Sequence, residues 1–256
     1  MVKKSVYAIA SLFLVTASPV FSSVIGITEY SSFISASEFG STSLQHTGVG
    51  PGIDDYTGAG LDVVFTNSLG ADNIGSVSWQ ITNSTGSVLN DVSFFGFLDA
   101  QIDEATNTFF NETASAAGFT LGSGSGDSQP DSFEIDEPGY LFGDIFTNLL
   151  NGSLDNTNAL LGIEDDVSLA LGFDVGTLLS DESILASFEI SEIDNGGLYQ
   201  YDAASDYGFY FLGVVSIIDD EIEIPNPSTL FLMSIGFLAI GGVKAGKHKR
   251  MGTKVC

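Results

Sequence analysis

Apolar and polar residues alternate in short runs from Leu61 onward, and turns rich in Gly, Asn and Asp separate these runs. The runs contain many β-branched and aromatic residues, so the pattern predicts antiparallel strands. The predicted strands are Leu61–Thr66, Ile74–Ile81, Val88–Ile102, Val167–Phe173, Ile184–Ile190 and Tyr207–Ile218. Residues 24–57, which precede them, are only weakly periodic. The spacing predicts an all-β fold, an antiparallel β-sandwich that is jelly-roll-like.

One segment, residues 136–152, has helical rather than alternating spacing. Its apolar residues, Leu141 and Phe142 among them, fall on one broad face, which would cover part of the sheet. Pro138 suits the first turn of a helix, and Gly152 suits its end. We therefore predict one short helix here. Two glycines inside the segment leave a short bulged strand as the alternative.

An uncharged apolar run, Ser228–Val243, lies near the C-terminus between two polar segments. A Pro-x-Pro precedes it, made of Pro225, Asn226 and Pro227. A basic cluster follows it, made of Lys244, Lys247, Lys249 and Arg250. As a helix the run would be about 24 Å long, which spans a membrane when the flanking lysines reach the interface. The pattern predicts a transmembrane helix over 228–243, with the basic tail 244–256 on the cytoplasmic side.

The order of Pro-x-Pro, apolar run and basic cluster over residues 223–256 resembles the C-terminal sorting signal of the PEP-CTERM proteins. The resemblance implies secretion machinery and an exosortase-type processing enzyme as partners, with cutting at or near residues 225–227. It also implies a cell-envelope or extracellular-matrix location and a link with exopolysaccharide and biofilm. Asn226 departs from the family's Glu at that place, which bears on processing. The alternative is a plain C-terminal membrane anchor that is never processed.

The N-terminal residues 1–23 have the layout of a secretory signal peptide. Lys3 and Lys4 precede the apolar run Val6–Val15, and the small residues Ser22 and Ser23 follow it. The chain is therefore predicted to consist of a leader (1–23), an exported domain (24–222) and the sorting signal (223–256).

Charge is distributed very unevenly along the chain. All seven basic residues lie in the leader or the C-terminal tail, and all 33 acidic residues lie between Glu29 and Glu223. Such a domain repels nucleic acid and attracts metal cations or basic partners, so nucleic-acid binding is excluded. The chain is 44% hydrophobic, which indicates a folded domain rather than a disordered one. Its one cysteine, Cys256, provides no disulfide within the domain.

Several oxygen-bearing side chains suggest calcium as a candidate cofactor. Asp99, Gln101 and Asp103 alternate with apolar residues and would project from one face of a strand. Two turns supply the further candidate ligands Asp155, Asn156, Asp165 and Asp166. Neither turn has the spacing of an EF-hand loop. The alternatives are a solvated strand face and ordinary turns in which Asn and Asp bind their own backbone.

The sequence offers little for catalysis, so we assign no catalytic residue and expect a non-enzymatic protein. His46 is the only histidine of the predicted exported domain. Trp79 is expected in the core, while Tyr199 and Tyr201 either form a stacking surface for glycan or pack against the sheet. A calcium-dependent glycan-binding or adhesion module is the first alternative to a matrix protein of the sorted family. A carboxylate-based glycoside hydrolase is the second.

Overall fold

The computed structural model describes residues 24–104, 108–124 and 128–218, and strands dominate this part of the chain. The strands are β1 Ile25–Ser35, β2 Leu44–Val49, β3 Leu61–Leu69, β4 Gly75–Asn83, β5 Leu89–Ile102, β6 Glu112–Ser115, β7 Ser132–Asp136, β8 Thr157–Asn158, β9 Ser168–Leu178, β10 Ser183–Ser191, β11 Leu198–Asp202 and β12 Tyr207–Ile218. They form two six-stranded sheets. Sheet A has the order β2-β1-β5-β9-β7-β8, and sheet B has the order β3-β4-β10-β12-β11-β6. All neighbouring strands are antiparallel except β7 and β8.

The two sheets share one large hydrophobic core, which confirms the all-β, sandwich-like fold. Tyr30 and Leu98 of sheet A belong to the same cluster of buried side chains as Trp79 and Phe211 of sheet B. Each fully buried large apolar side chain contributes about 1.5–3 kcal/mol relative to an exposed one. A core of this size explains how a domain without disulfides stays folded.

Phe188 of β10 lies at the centre of this core. Its ring stacks on Phe211 at 5.6 Å between centroids and meets the Trp79 ring edge-on at 5.9 Å. A Cβ atom at Gly96 would lie 2.3 Å from the Phe188 ring, and one at Gly213 would lie 2.5 Å from it. The two sheets therefore hold this ring between two positions that lack a side chain.

All six predicted strands are present, with ends that differ by a few residues. The weakly periodic N-terminal segment, however, also contains two strands, β1 and β2. In β1 the consecutive residues Ser31, Ser32, Phe33 and Ile34 are all buried. Sheet A is covered on both faces at this point, so β1 has no solvent-facing side and the alternation of polar residues is lost.

The predicted short helix is present, but its predicted start is wrong. The one α-helix among the described residues, α1, covers Ile145–Leu150 and ends just before Gly152, which has a φ of 70°. Residues 137–144 form a loop instead, because Gly139 and Gly143 have φ values of 84° and 75° that no α-helix contains. The Asp144 N–H donates to Asp136 Oδ2 at 2.8 Å and closes the loop back onto β7.

Helix α1 covers part of the outer face of sheet A. Ile145 and Leu149 pack with Phe33, Phe97 and neighbouring residues in a second, smaller apolar cluster. Sheet A thus lies between the sandwich core and this cluster, which places the loop before α1 against the sheet.

No helix within the described ranges has the length and apolar character needed to cross a membrane. The predicted leader, the sorting motif Pro225–Pro227, the helix 228–243 and the basic cluster lie outside those ranges.

Candidate functional site

Four oxygen-bearing side chains lie side by side across the outer face of sheet A. Glu29 of β1 is paired with Asp99 of β5, Asp99 with Ser168 of β9, and Ser168 with Asp136 of β7. Residues directly opposite each other in antiparallel strands point to the same face. We call these four residues the polar row, and all of them are buried. Their neighbours in sequence, Tyr30, Leu98, Leu169 and Ile135, belong instead to the core between the sheets.

Hydrogen bonds bring three of the predicted calcium ligands together at this row. Gln101 Nε2 donates to Asp99 Oδ1 at 3.5 Å and to Asp166 Oδ1 at 3.2 Å. On the other side of Asp99, Glu29 accepts from Gln45 Nε2 at 2.8 Å and from the hydroxyl of Tyr140. Asp99 and Gln101, two of the three side chains expected on one strand face, are buried rather than solvated.

Two buried polar atoms in this region have no hydrogen-bond partner among the described residues. They are the Oε1 atom of Gln101 and the hydroxyl of Ser168. Both side chains are more than nine-tenths buried. Buried polar atoms without a protein partner are uncommon, and a water, an ion or a ligand can complete their hydrogen bonding.

The acids at the row have strongly perturbed proton affinities. Burial raises the pKa of Asp99 to about 7, and the charges of Asp166 and Glu29 add to the rise. Burial also raises the pKa of Asp166 and of the Tyr140 hydroxyl. No lysine or arginine occurs between residues 24 and 218 to offset these charges. A proton or a cationic ligand would therefore offset the charge of this group of acids.

An open groove of about 270 Å³ lies beside the polar row. We call it the aromatic groove, and it is lined by Phe109, Phe110, Glu137, Pro138, Tyr140, Leu141, Phe142 and Asp166. The side chains of Leu141 and Phe142 are 88% and 67% exposed, although the sequence predicted them on a helix face that covers the sheet. The loop over residues 137–144 carries them outward instead. Tyr140 connects the groove to Glu29, and Asp166 connects it to Gln101.

A second group of carboxylates contains the predicted ligand Asp155. Oxygen atoms of Glu134, Asp144 and Asp155 lie within 4.8 Å of one another, and we call these residues the carboxylate triad. Glu134 is buried in β7 and accepts from Asn148 Nδ2 at 2.9 Å and from the Asp155 N–H at 3.2 Å. Burial raises the pKa of Glu134 to about 7, and the charges of Asp155 and Asp144 add to the rise. Three carboxylates at this spacing have the oxygen chemistry that calcium binds.

The remaining predicted ligands lie elsewhere. Asp103 follows the end of β5 with a φ of 53°, so the alternation that it shared with Asp99 ends at Ile102. Asn156 Oδ1 accepts from the Phe133 N–H at 3.1 Å, and Asp165 Oδ1 accepts from the Asp166 N–H at 3.0 Å. The predicted set thus divides between the polar row with its hydrogen-bonded neighbours, the carboxylate triad, the contact of Asn156 with β7, the local turn contact of Asp165, and Asp103 after the end of β5.

Three tyrosines lie together on strands β11 and β12 of sheet B. The rings of Tyr199 and Tyr201 are stacked at 6.0 Å, and Tyr210 contacts Tyr199 at 4.7 Å. Tyr201 also donates to Asp206 Oδ1 at 2.9 Å. Tyr199 and Tyr201 are partly exposed and stack on each other, so they offer one side of a flat aromatic surface rather than a recess.

Trp79 and His46 have structural roles. Trp79 is fully buried, as expected, and its Nε1 donates to His46 Nδ1 at 3.0 Å. Burial lowers the pKa of His46, so the neutral ring that accepts this hydrogen bond is favoured.

Comparison with protein-family models, with curated proteins and with solved structures found no match to the chain.

Sequence reasoning missed several residues of these sites, among them Glu29, Glu134, Tyr140 and Asp144. Glu29 and Glu134 lie in strands whose pairing partners are distant in sequence. Tyr140 and Asp144 lay inside the segment that was predicted as helix. The two glycines of that segment were the signal that could have revealed a loop.

Proposed function

We propose that the protein is an exported, non-enzymatic matrix protein that binds exopolysaccharide through the aromatic groove. Export, processing by an exosortase-type enzyme and a cell-envelope or extracellular location rest on the resemblance of residues 223–256 to a sorting signal. Before processing, the predicted helix 228–243 holds the chain in the membrane. The jelly-roll-like connectivity and this transmembrane helix stay predictions.

The observation that carries the proposal is a recess that is lined by both exposed aromatic rings and carboxylates. The exposed aromatic residues Phe110 and Phe142 and the acidic residues Glu137 and Asp166 all line one volume of about 270 Å³. Sugar rings have apolar C–H faces that pack on aromatic rings and hydroxyl groups that donate to carboxylates. A larger depression of about 390 Å³ lies on sheet B, but Phe188 is its only aromatic lining residue and is buried. The aromatic groove therefore suits a sugar better.

A binding experiment tests the proposal. The purified protein is tested on an array of polysaccharides, and Phe110→Ala and Phe142→Ala are compared with Val64→Ala. Val64 is an equally exposed apolar residue on β3 of the other sheet, so its loss controls for general surface hydrophobicity. We expect both groove variants to lose binding at an unchanged melting temperature. Equal binding by all three variants would contradict the proposal, and release of reducing ends would favour the hydrolase alternative.

Calcium binding is a second proposed property, favoured by the carboxylate triad. Thermal midpoints are measured in calcium, in magnesium and in chelator at one ionic strength. We expect calcium, and not magnesium, to raise the thermal midpoint of the natural protein. Glu134→Gln should remove this rise, whereas the double variant Asp99→Asn with Asp103→Asn should keep it. Equal shifts with both cations would mean that the ions only screen the acidic surface.

A further inference from the structure

We propose that the glycan bound in the aromatic groove carries free amino groups, with one protonated amine held by Asp166 and a sugar face packed on Phe142. The inference rests on the proposed glycan-binding function and adds the charge class of the glycan. The ligand class is a polymer or oligomer of amino sugars whose amines are not acylated.

The charge around the groove selects the class of ligand. Glu137 and Asp166 line the groove, and the polar row with Asp99 and Glu29 lies directly behind it. No lysine or arginine occurs between residues 24 and 218. A glycan with uronic acid or sulfate groups would place like charges beside these carboxylates, which is unfavourable. A cationic glycan brings the charge that this part of the molecule lacks.

Unused hydrogen-bonding capacity points to the same place. Gln101 holds Asp166 through its Nε2 atom, and the Oε1 atom of the same amide has no partner among the described residues. The Ser168 hydroxyl, next to Asp99 across the strand pair, is also unpartnered there. An ammonium group has three donors, which match carboxylate and amide oxygens. Asp166 lies between this buried amide and the exposed rings of the groove, so it is the carboxylate that an amine in the groove would meet.

The geometry favours an amine over a metal ion at this position. In the part of the chain that the structure describes, three carboxylates within 4.8 Å of one another occur only in the carboxylate triad, which does not include Asp166. Calcium needs six or more oxygen ligands, whereas an ammonium group is satisfied by two or three. An amine on a sugar also explains why aromatic rings border the acid.

Calorimetric titration of the full chain tests the inference. Three oligosaccharides of equal length serve as probes: glucosamine, N-acetylglucosamine and glucose oligomers, all at one near-neutral pH and physiological salt. We expect the glucosamine oligomer to bind at least about tenfold more tightly than the other two, since charge-assisted hydrogen bonds are the stronger kind. Asp166→Asn is expected to remove this preference while keeping the Oδ1 acceptor for Gln101. Phe142→Ala is expected to weaken all three probes.

Asp55→Asn is the matched control, because it makes the same charge change at an exposed site distant in sequence from the groove. Glu137→Gln is a second groove variant in case Asp166→Asn does not fold, and it is expected to reduce the same preference. Equal affinity for charged and neutral oligomers would overturn the inference and leave the glycan-binding function standing. If Asp55→Asn and Asp166→Asn lose the preference for the glucosamine oligomer equally, the preference is general electrostatic attraction and the inference is overturned. Heat from calcium alone that depends on Asp166 would overturn it in favour of a metal. No binding of any oligomer would overturn the inference, while the polysaccharide array decides the proposed function.

Discussion

Replacing Asp99 by Asn converts a buried carboxyl group into a neutral amide of nearly the same shape. Asp99 is 2% exposed, and its Oδ1 atom accepts a hydrogen bond from Gln101 that the Asn oxygen can also accept. The substitution therefore removes the titrating group and keeps the packing. We expect the variant to have the stability of the natural protein at low pH and to be clearly more stable above neutral pH.

The magnitude follows from the proton affinity of Asp99. Burial raises its pKa from an ordinary value of 3.8 to about 7, so the folded chain binds this proton more tightly than the unfolded chain does. The stabilising contribution of the protonated group is complete below its ordinary pKa and is lost as the pH rises through about 7. Because a tenfold change in proton affinity corresponds to 1.36 kcal/mol, the natural protein loses about 4 kcal/mol of its free energy of unfolding in total. Between these two pH values the stability difference between variant and natural protein should grow by about 1.4 kcal/mol per pH unit.

The assay is urea unfolding at a series of pH values in chelator, followed by tryptophan fluorescence. Trp79 is the only tryptophan of the chain and is fully buried, so its emission reports on the core. Asp55→Asn, which makes the same substitution at an exposed carboxylate, is the control for the change in net charge. If the stability difference between Asp99→Asn and the natural protein stays constant across the series, the reasoning about the polar row is refuted.

Three further predictions concern packing, backbone hydrogen bonding and metal binding. Gly96→Ala should lower the free energy of unfolding by about 1–3 kcal/mol, because the new Cβ would lie 2.3 Å from the Phe188 ring. The control is Gly58→Ala, whose new Cβ would have no atom within 4 Å. In the same urea assay it should change the free energy of unfolding by less than about 0.5 kcal/mol. Asn83→Ala should lower the free energy of unfolding by about 3 kcal/mol, since the two hydrogens of Asn83 Nδ2 are shared among three backbone carbonyls. An unchanged thermal midpoint would show that these bonds contribute nothing. Asp155→Asn should abolish the calcium-specific stabilisation, which is about 2.7 kcal/mol when calcium is at one hundred times its Kd. If the variant keeps the rise in thermal midpoint with calcium, the carboxylate triad is excluded as the calcium site.

Strands with one solvent-exposed face could be predicted from the sequence, whereas strand β1, which is covered on both faces, could not. Strand β4, for example, alternates buried Val77, Trp79 and Ile81 with more exposed neighbours, and its period of two is plain. Strand β1 has no such period because helix α1 and the sandwich core cover its two faces at Phe33 and Ile34. Local pattern carries no information on a second layer that comes from a distant part of the chain.

The candidate site was predictable only in part for a related reason. Asp99 and Gln101 were identified because they lie two apart on one strand. Glu29, however, reaches Asp99 only through the pairing of β1 with β5, and Tyr140 reaches Glu29 only because a loop replaces the predicted first half of the helix. Strand register and loop path are set by the whole fold, so neither could be deduced from these residues alone.

Strand β12 ends the described part of the chain, and its position in sheet B has a mechanical consequence. It lies between β10 and β11 and is paired along its length with β10, from Ser183 opposite Ile218 to Ser191 opposite Tyr210. A pulling force applied through the chain beyond Ile218, along the strand, would load these hydrogen bonds together in shear rather than open them one at a time. Resistance to such a force is governed by the unfolding rate rather than by equilibrium stability. A domain tethered through this strand would therefore withstand tension better than one held by an edge strand that can be peeled away.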